Sequence, residues 1–141
     1  MPEYLFDTDA ISEMFRPRPN ARYVRWLRGV PSADQLTSTV VIGELFAGAF
    51  RSRARERHVS NIVERVLPLL TVVPFDLAAA EAYGRIRAHL ETAGTRIEDA
   101  DLQIAATALS RGLTVVTGNV RHYSRVPGLS VEPVLAEARR D

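Results

Sequence analysis

Four short apolar runs alternate with stretches of helical periodicity, and that alternation constrains this chain more than any other feature. Tyr4-Leu5-Phe6, Leu36–Ser38, Leu70–Val73 and Leu113–Val116 read as strands. Helical spacing occupies the intervals, around Ala10–Phe15, Ala21–Arg28, Val40–Phe50, Arg55–Leu67, Leu77–Thr92 and Leu102–Leu109. Pro17 and Pro19 separate the first two helices, Pro68 ends the fourth, and Gly94 and Gly112 end the fifth and sixth. Ser130–Glu132 reads as an edge strand before a short terminal helix. Leu102–Leu109 is apolar almost throughout and is expected to be buried. Strands alternating with helices predict an α/β fold, a mostly parallel sheet sandwiched by helices. No linker or repeat interrupts the pattern, so residues 1–141 are expected to form a single domain.

Composition narrows the chemistry. With no cysteine, thiolate metal sites, disulfides and cysteine nucleophiles are all excluded. Every basic residue is arginine, so any mechanism that needs a lysine is excluded as well. No apolar run approaches the ~20 residues of a membrane span. Met1-Pro2-Glu3 lacks the basic and apolar stretches of a signal peptide, which predicts a cytoplasmic protein.

Open parallel sheets bind ligands beyond the carboxyl ends of their strands. Asp7 and Asp9 follow the first strand, and Asn119 follows the Leu113–Thr117 segment. Asp99 and Asp101 open the apolar helix, where the macrodipole favours negative charge. Glu44 is embedded among Val41, Ile42, Leu45 and Phe46. Asp7, Asp9 and Asp99 also suit helix N-caps, and Asn119 suits a turn. As a set, these residues suggest something else. Two carboxylates about 4 Å apart repel by roughly 4 kcal/mol at an effective dielectric near 20, so a cluster needs protons, an arginine or a cation. Oxygen-only donors favour Mg²⁺ or Mn²⁺. His58 and His89 read as helix-surface residues, whereas His122 is close enough in sequence to Asn119 to approach the cluster.

These residues carry a resemblance. Tyr4-Leu5-Phe6-Asp7-Thr8-Asp9, Thr39–Leu45, Asp101–Ala108 and Thr117-Gly118-Asn119 with Arg121-His122-Tyr123 resemble, in order, the PIN-domain toxins of the VapC family. Val73–Asp76 with Ala80 and Tyr83-Gly84 adds to the likeness. The resemblance implies a metal-dependent ribonuclease of α/β/α architecture, usually dimeric, inhibited by a small VapB-type antitoxin. It implies that Asp7, Glu44 and Asp101 hold the metal. The fourth position, often a carboxylate, is Asn119, which can orient a water but adds no charge. Asp99 and Asp9 are candidates to compensate.

Contact with RNA or antitoxin is expected from arginines, whose forks suit phosphate and carboxylate. Arg16 and Arg25 lie near the Pro-rich loop, Arg51 opens the run Arg51–Arg57, and Arg121 follows Asn119. An alternative fits Asp7-Thr8-Asp9 to a haloacid-dehalogenase-like phosphatase with Asp7 as nucleophile and Glu98-Asp99 as a late metal pair. That reading leaves Glu44 without a role.

Overall fold

The computed structural model describes residues 2–141. Five parallel strands form the sheet: β1 (Tyr4–Phe6), β2 (Gln35–Ser38), β3 (Thr71–Val73), β4 (Thr114–Val116) and β5 (Val131–Glu132). Their spatial order is β3-β2-β1-β4-β5. The helices are α1 (Thr8–Met14), α2 (Ala21–Arg28), α3 (Thr39–Arg51), α4 (Arg55–Asn61), α5 (Leu77–Thr92), α6 (Asp99–Arg111), α7 (Val120–Tyr123) and α8 (Val134–Ala138). Parallel pairing demands crossovers, and the helices supply them.

The strand order turns at β1. The chain builds outward from β1 through β2 to β3, then returns to its other side through β4 and β5. A crevice therefore opens beyond the carboxyl ends of β1 and β4, the switch point where such sheets place ligands. Register fixes what meets there. Phe6 pairs with Val116, and the Asp7 N–H donates to the Val116 carbonyl at 3.1 Å.

Burial explains why these strands are short and apolar. Leu5, Phe6, Val115 and Val116 are completely buried in the centre of the sheet. Helix α6 contributes Leu102, Ile104, Ala105, Ala106 and Ala108 to the same core, and its alanines let it lie close to α5 and β4. Gly112 ends α6 at φ +68°, where a side chain would be strained. Trp26 brings α2 onto Tyr4 and Phe6, Tyr23 stacks on Trp26, and the buried Tyr23 hydroxyl donates to the Ala10 carbonyl at 2.9 Å.

Two features depart from the expected elements. The Arg55–Leu67 helix is α-helical only to Asn61 and widens into a π turn over Ile62–Val66, with Leu67 N–H reaching the Ile62 carbonyl. Pro68 follows directly, and its ring would crowd the carbonyl four residues back. The short helix α7, unforeseen in the sequence, carries His122 and Tyr123. Among the described residues no helix is long and apolar enough to cross a membrane.

Candidate active site

The crevice beyond β1 and β4 is built from three carboxylates and their hydrogen-bond donors. Asp7 leaves β1 in an extended conformation and caps α1, its Oδ1 accepting the Ala10 N–H at 2.8 Å. Only 6% of Asp7 is exposed. Burial pushes its carboxyl up to about 7; hydrogen bonds from Thr117 and Ala10 hold it back, while Asp9 and Asp101 push it further. Among the described residues no arginine forms an ion pair with Asp7.

Glu44 enters from α3. Ser38 caps that helix, its Oγ accepting the Val41 N–H at 3.2 Å, which sets the helix running from the end of β2. Val41 and Ile42 face the core, and this leaves Glu44 half-buried at the rim rather than enclosed as its neighbours in sequence suggest. The Thr8 hydroxyl donates to Glu44 Oε1.

Asp101 comes from the first turn of α6. It accepts from the Tyr123 hydroxyl at 3.4 Å and lies 3.0 Å from His122 Nδ1. Burial raises its pKa, and His122 and Tyr123 restrain the rise against repulsion from Glu98. Asn119 is exposed; its side-chain nitrogen as placed is 3.2 Å from that same Nδ1, and its N–H donates to Thr117 Oγ1. One Nδ1 cannot donate to Asp101 and accept from Asn119 together. The carboxylate needs the proton, so the Nδ1–H donates to Asp101, and an Asn119 amide oxygen turned toward the ring shares that one hydrogen as a second, weaker acceptor.

Tyr123 ties the three acids together. Its hydroxyl proton is bound unusually tightly, first because of burial and then because Asp7, Asp101 and Glu44 all repel the phenolate. The carboxylates thus share one electrostatic neighbourhood. They are not drawn onto a single point: among the described residues no three acidic or histidine side chains stand close enough to hold an ion as they are oriented. Each has its own donor instead, Ala10 for Asp7, Thr8 for Glu44, and His122 with Tyr123 for Asp101.

The remaining sequence candidates fall elsewhere. Asp99 is exposed and taken up by Arg87 and Tyr83 of α5, and it makes no cap hydrogen bond, since Glu98 holds the N-cap position. Asp9 is claimed by Arg139, with contacts of 2.7 and 3.0 Å. Arg121 is exposed beside Asn119 and lines a cleft of about 500 Å³ with Gly118, Arg139 and Arg140. Arg16, Arg25 and Arg51 are exposed; Arg16 reaches Glu13 at 3.6 Å. Arg53, Arg55 and Arg57 line a separate cleft after α3. Sequence reasoning missed Thr8, Thr117, Tyr123 and Arg139. The first three lie inside or beside the quoted motifs, but nothing local to Arg139 points to Asp9, 130 positions away.

Comparison with known proteins bears on the family and the fold. The sequence profile of the PIN domain matches residues 4–129. The tRNA(fMet)-specific endonuclease VapC of Salmonella typhimurium is 34% identical over 132 residues, covering 94% of this chain and 98% of the relative. Toxin FitB of Neisseria gonorrhoeae is 38% identical over 118 residues, covering 80% and 85%. Among solved structures, FitAcB from Neisseria gonorrhoeae superposes with a TM-score of 0.83 at 33% identity, covering 92% of this chain and 97% of that one. The DNA-bound VapBC of Salmonella typhimurium gives 0.82 at 34%, covering 94% and 98%.

The phosphatase alternative finds no support in these matches. Of its late acidic pair, Asp99 is engaged by Arg87 and Tyr83 of α5, and Glu44 remains without a role in that reading. With a matching profile across most of its length and full-length relatives above 30% identity, the chain belongs to the PIN-domain family, among its VapC-type members.

Proposed function

We propose that this chain is a ribonuclease toxin of the VapC type, hydrolysing RNA phosphodiester bonds and held in check by a small VapB-type antitoxin. Relatives named as ribonucleases over nearly their whole length support the activity, and neighbours solved as VapBC and FitAB assemblies support the partner. The observation that carries the reading is Asp7: a buried carboxylate at the switch point, repelled by two other acids and paired with no arginine. Such a group is costly to keep unless a cation joins it.

Asp7, Glu44 and Asp101 would hold Mg²⁺ or Mn²⁺, a hard ion suited to carboxylate oxygens. When bound, the ion acidifies water and offsets charge on the phosphate. This chain's own residues do the rest. Asp7 must lose its proton to serve, and the Ala10 N–H and Thr117 favour that loss. The hydroxyl of Thr8 orients Glu44. The His122 Nδ1–H donates to Asp101, and Asn119 stands beside the ring. Asp99 and Asp9 are left out of the ligand set because arginines already neutralise them. Homodimerisation belongs to the same reading; Phe50, Val63, Leu69 and Leu77 are large apolar side chains exposed on the single chain, and light scattering measures whether they are covered.

The test compares RNA cleavage by wild type and Asp7→Asn with Mg²⁺, Mn²⁺ or EDTA. Cleavage is expected only from wild type with a divalent ion, and equal cutting by both proteins in EDTA would end the proposal. Salt supplies a second measurement. If Arg51 and Arg121 contact phosphates, RNA affinity falls with added salt, and replacing either by alanine lowers the log–log slope by about 0.7. A slope unchanged in both variants removes those arginines from the RNA path.

A further inference from the structure

Helix α1 carries two acids one turn apart, Asp9 and Glu13, and a single arginine from beyond α8 spans both. Arg139 Nη1 meets Asp9 Oδ2 at 2.7 Å, and Nη2 meets Asp9 Oδ1 at 3.0 Å and Glu13 Oε1 at 2.9 Å. Neighbouring contacts tie the same end of α8 to α2: Asn20 Nδ2 donates to the Ala138 carbonyl at 3.4 Å, and Arg22 pairs with Asp141 at 2.8 Å. An isolated, half-exposed Arg–Asp pair contributes little. This one is bidentate, and it shares its arginine with a glutamate that is only 3% exposed.

The loop after β4 is shaped around the pair. A Cβ on Gly118 would collide with both the Arg139 guanidinium and the Asp9 carboxylate. The glycine therefore lets the arginine pass between the Thr117–Asn119 loop and the first turn of α1. That turn carries Asp7 at its cap and Thr8 on Glu44, while the Asp7 N–H donates to the Val116 carbonyl just before the buried Thr117.

We propose that Arg139 is a positioning residue for the acidic site, clamping Asp9 so that the first turn of α1 holds Asp7 and Thr8 against the loop that follows β4. This rests on the ribonuclease reading above. Asp9 then serves as the anchor for Arg139 and not as a metal ligand. Since the clamp touches neither substrate nor ion, its loss lowers turnover by displacing Asp7, while RNA binding elsewhere on the surface is spared.

A double-mutant cycle over Arg139→Ala and Asp9→Asn tests this, with steady-state RNA cleavage, thermal melting and hydrogen exchange at the Ala10 amide as readouts. Arg139→Ala is expected to lower kcat by about 10- to 100-fold, the cost of a small misplacement, with KM within about threefold. Asp9→Asn behaves alike, and the double variant is no worse than the more impaired single one. The Ala10 amide exchanges faster in all three, because its bond to Asp7 is loosened. Arg85→Ala, at an exposed arginine of α5 paired with Glu81, leaves cleavage unchanged. If Arg139→Ala does not fold, the cycle is run with Arg139→Lys, which keeps the charge and loses the fork.

Multiplicative losses would make Asp9 an independent participant and overturn the proposal. Wild-type kcat in a folded Arg139→Ala variant, or a loss confined to KM, also overturns it. Failure of the ribonuclease reading shows up separately, as EDTA-resistant cleavage retained by Asp7→Asn. The Ala10 amide still reports in that case whether Arg139 orders the turn.

Discussion

Replacing Asp7 by Asn is expected to abolish RNA cleavage and, at pH 8, to make the protein more stable. The two effects have one cause. Burial lifts the Asp7 carboxyl from 3.8 to about 7, so above pH 7 the fold carries a charge it disfavours. A gap of about three units corresponds to about 4 kcal/mol at full ionisation. The folded state binds the extra proton between the two values, so stability falls as pH rises from about 4 to about 7 and levels off above. Asparagine removes the charge while keeping the cap, since Asn is as good an N-cap as Asp and its Oδ1 can still accept the Ala10 N–H. Its amide needs an acceptor, and the Thr117 hydroxyl is beside it.

The expected gain is about 2–4 kcal/mol at pH 8 and almost nothing at pH 4, read from urea unfolding at both values. Wild type should recover the difference on adding Mg²⁺ or Mn²⁺ at pH 8, whereas Asp7→Asn should not respond. A variant less stable than wild type at pH 8 would mean that the buried charge is already compensated, and the case for a cation at Asp7 would fail with it.

The sequence carried the fold well for a physical reason. Tyr4–Phe6 and Leu113–Val116 are apolar because both faces of a central parallel strand are covered, and the pattern is visible locally. Helices α2 and α5 begin and end where their caps and periodicity place them, at Ala21–Arg28 and Leu77–Thr92. The local pattern offered Asp7, Asp9, Glu44, Asp99 and Asp101 together as candidate acids, and only the resemblance set Asp7, Glu44 and Asp101 apart from the other two. Which acids were already spent was not legible. Asp99 is neutralised from α5 and Asp9 from the far end of the chain, and no local pattern encodes a partner 130 residues distant. The degree of burial of Glu44 was misjudged for a related reason: of Val41, Ile42, Leu45 and Phe46 only Val41, one turn back, shares its side of α3, while the other three project elsewhere.

Glu13 shows what a buried carboxylate looks like when it is structural, and Glu13→Ala should do the opposite of Asp7→Asn. Six positions after Asp7 on the same segment, Glu13 is still more buried, at 3% exposed. Its environment differs in one respect, a counter-charge. Burial alone would raise its pKa, but Arg139 at 2.9 Å, the Asn20 N–H at 3.0 Å and Arg16 at 3.6 Å more than offset this and hold it below the usual value. A folded pKa below the unfolded one contributes stability above about pH 4.5 and loses it as pH falls through the folded value. Truncation to alanine strands the Asn20 N–H at the cap of α2 and leaves Arg139 with Asp9 alone. Removing one partner of a buried pair costs about 3–5 kcal/mol, and with Arg139 partly exposed the lower end applies, about 3 kcal/mol. Urea unfolding at pH 7 should show that loss, and the gap between wild type and Glu13→Ala should narrow at pH 3.5. An equal gap at both values would mean that Glu13 acts through packing and not charge. The sign of the stability change therefore separates the two acids: removing the charge of the unpaired one stabilises the fold and ends catalysis, whereas removing the paired one destabilises it.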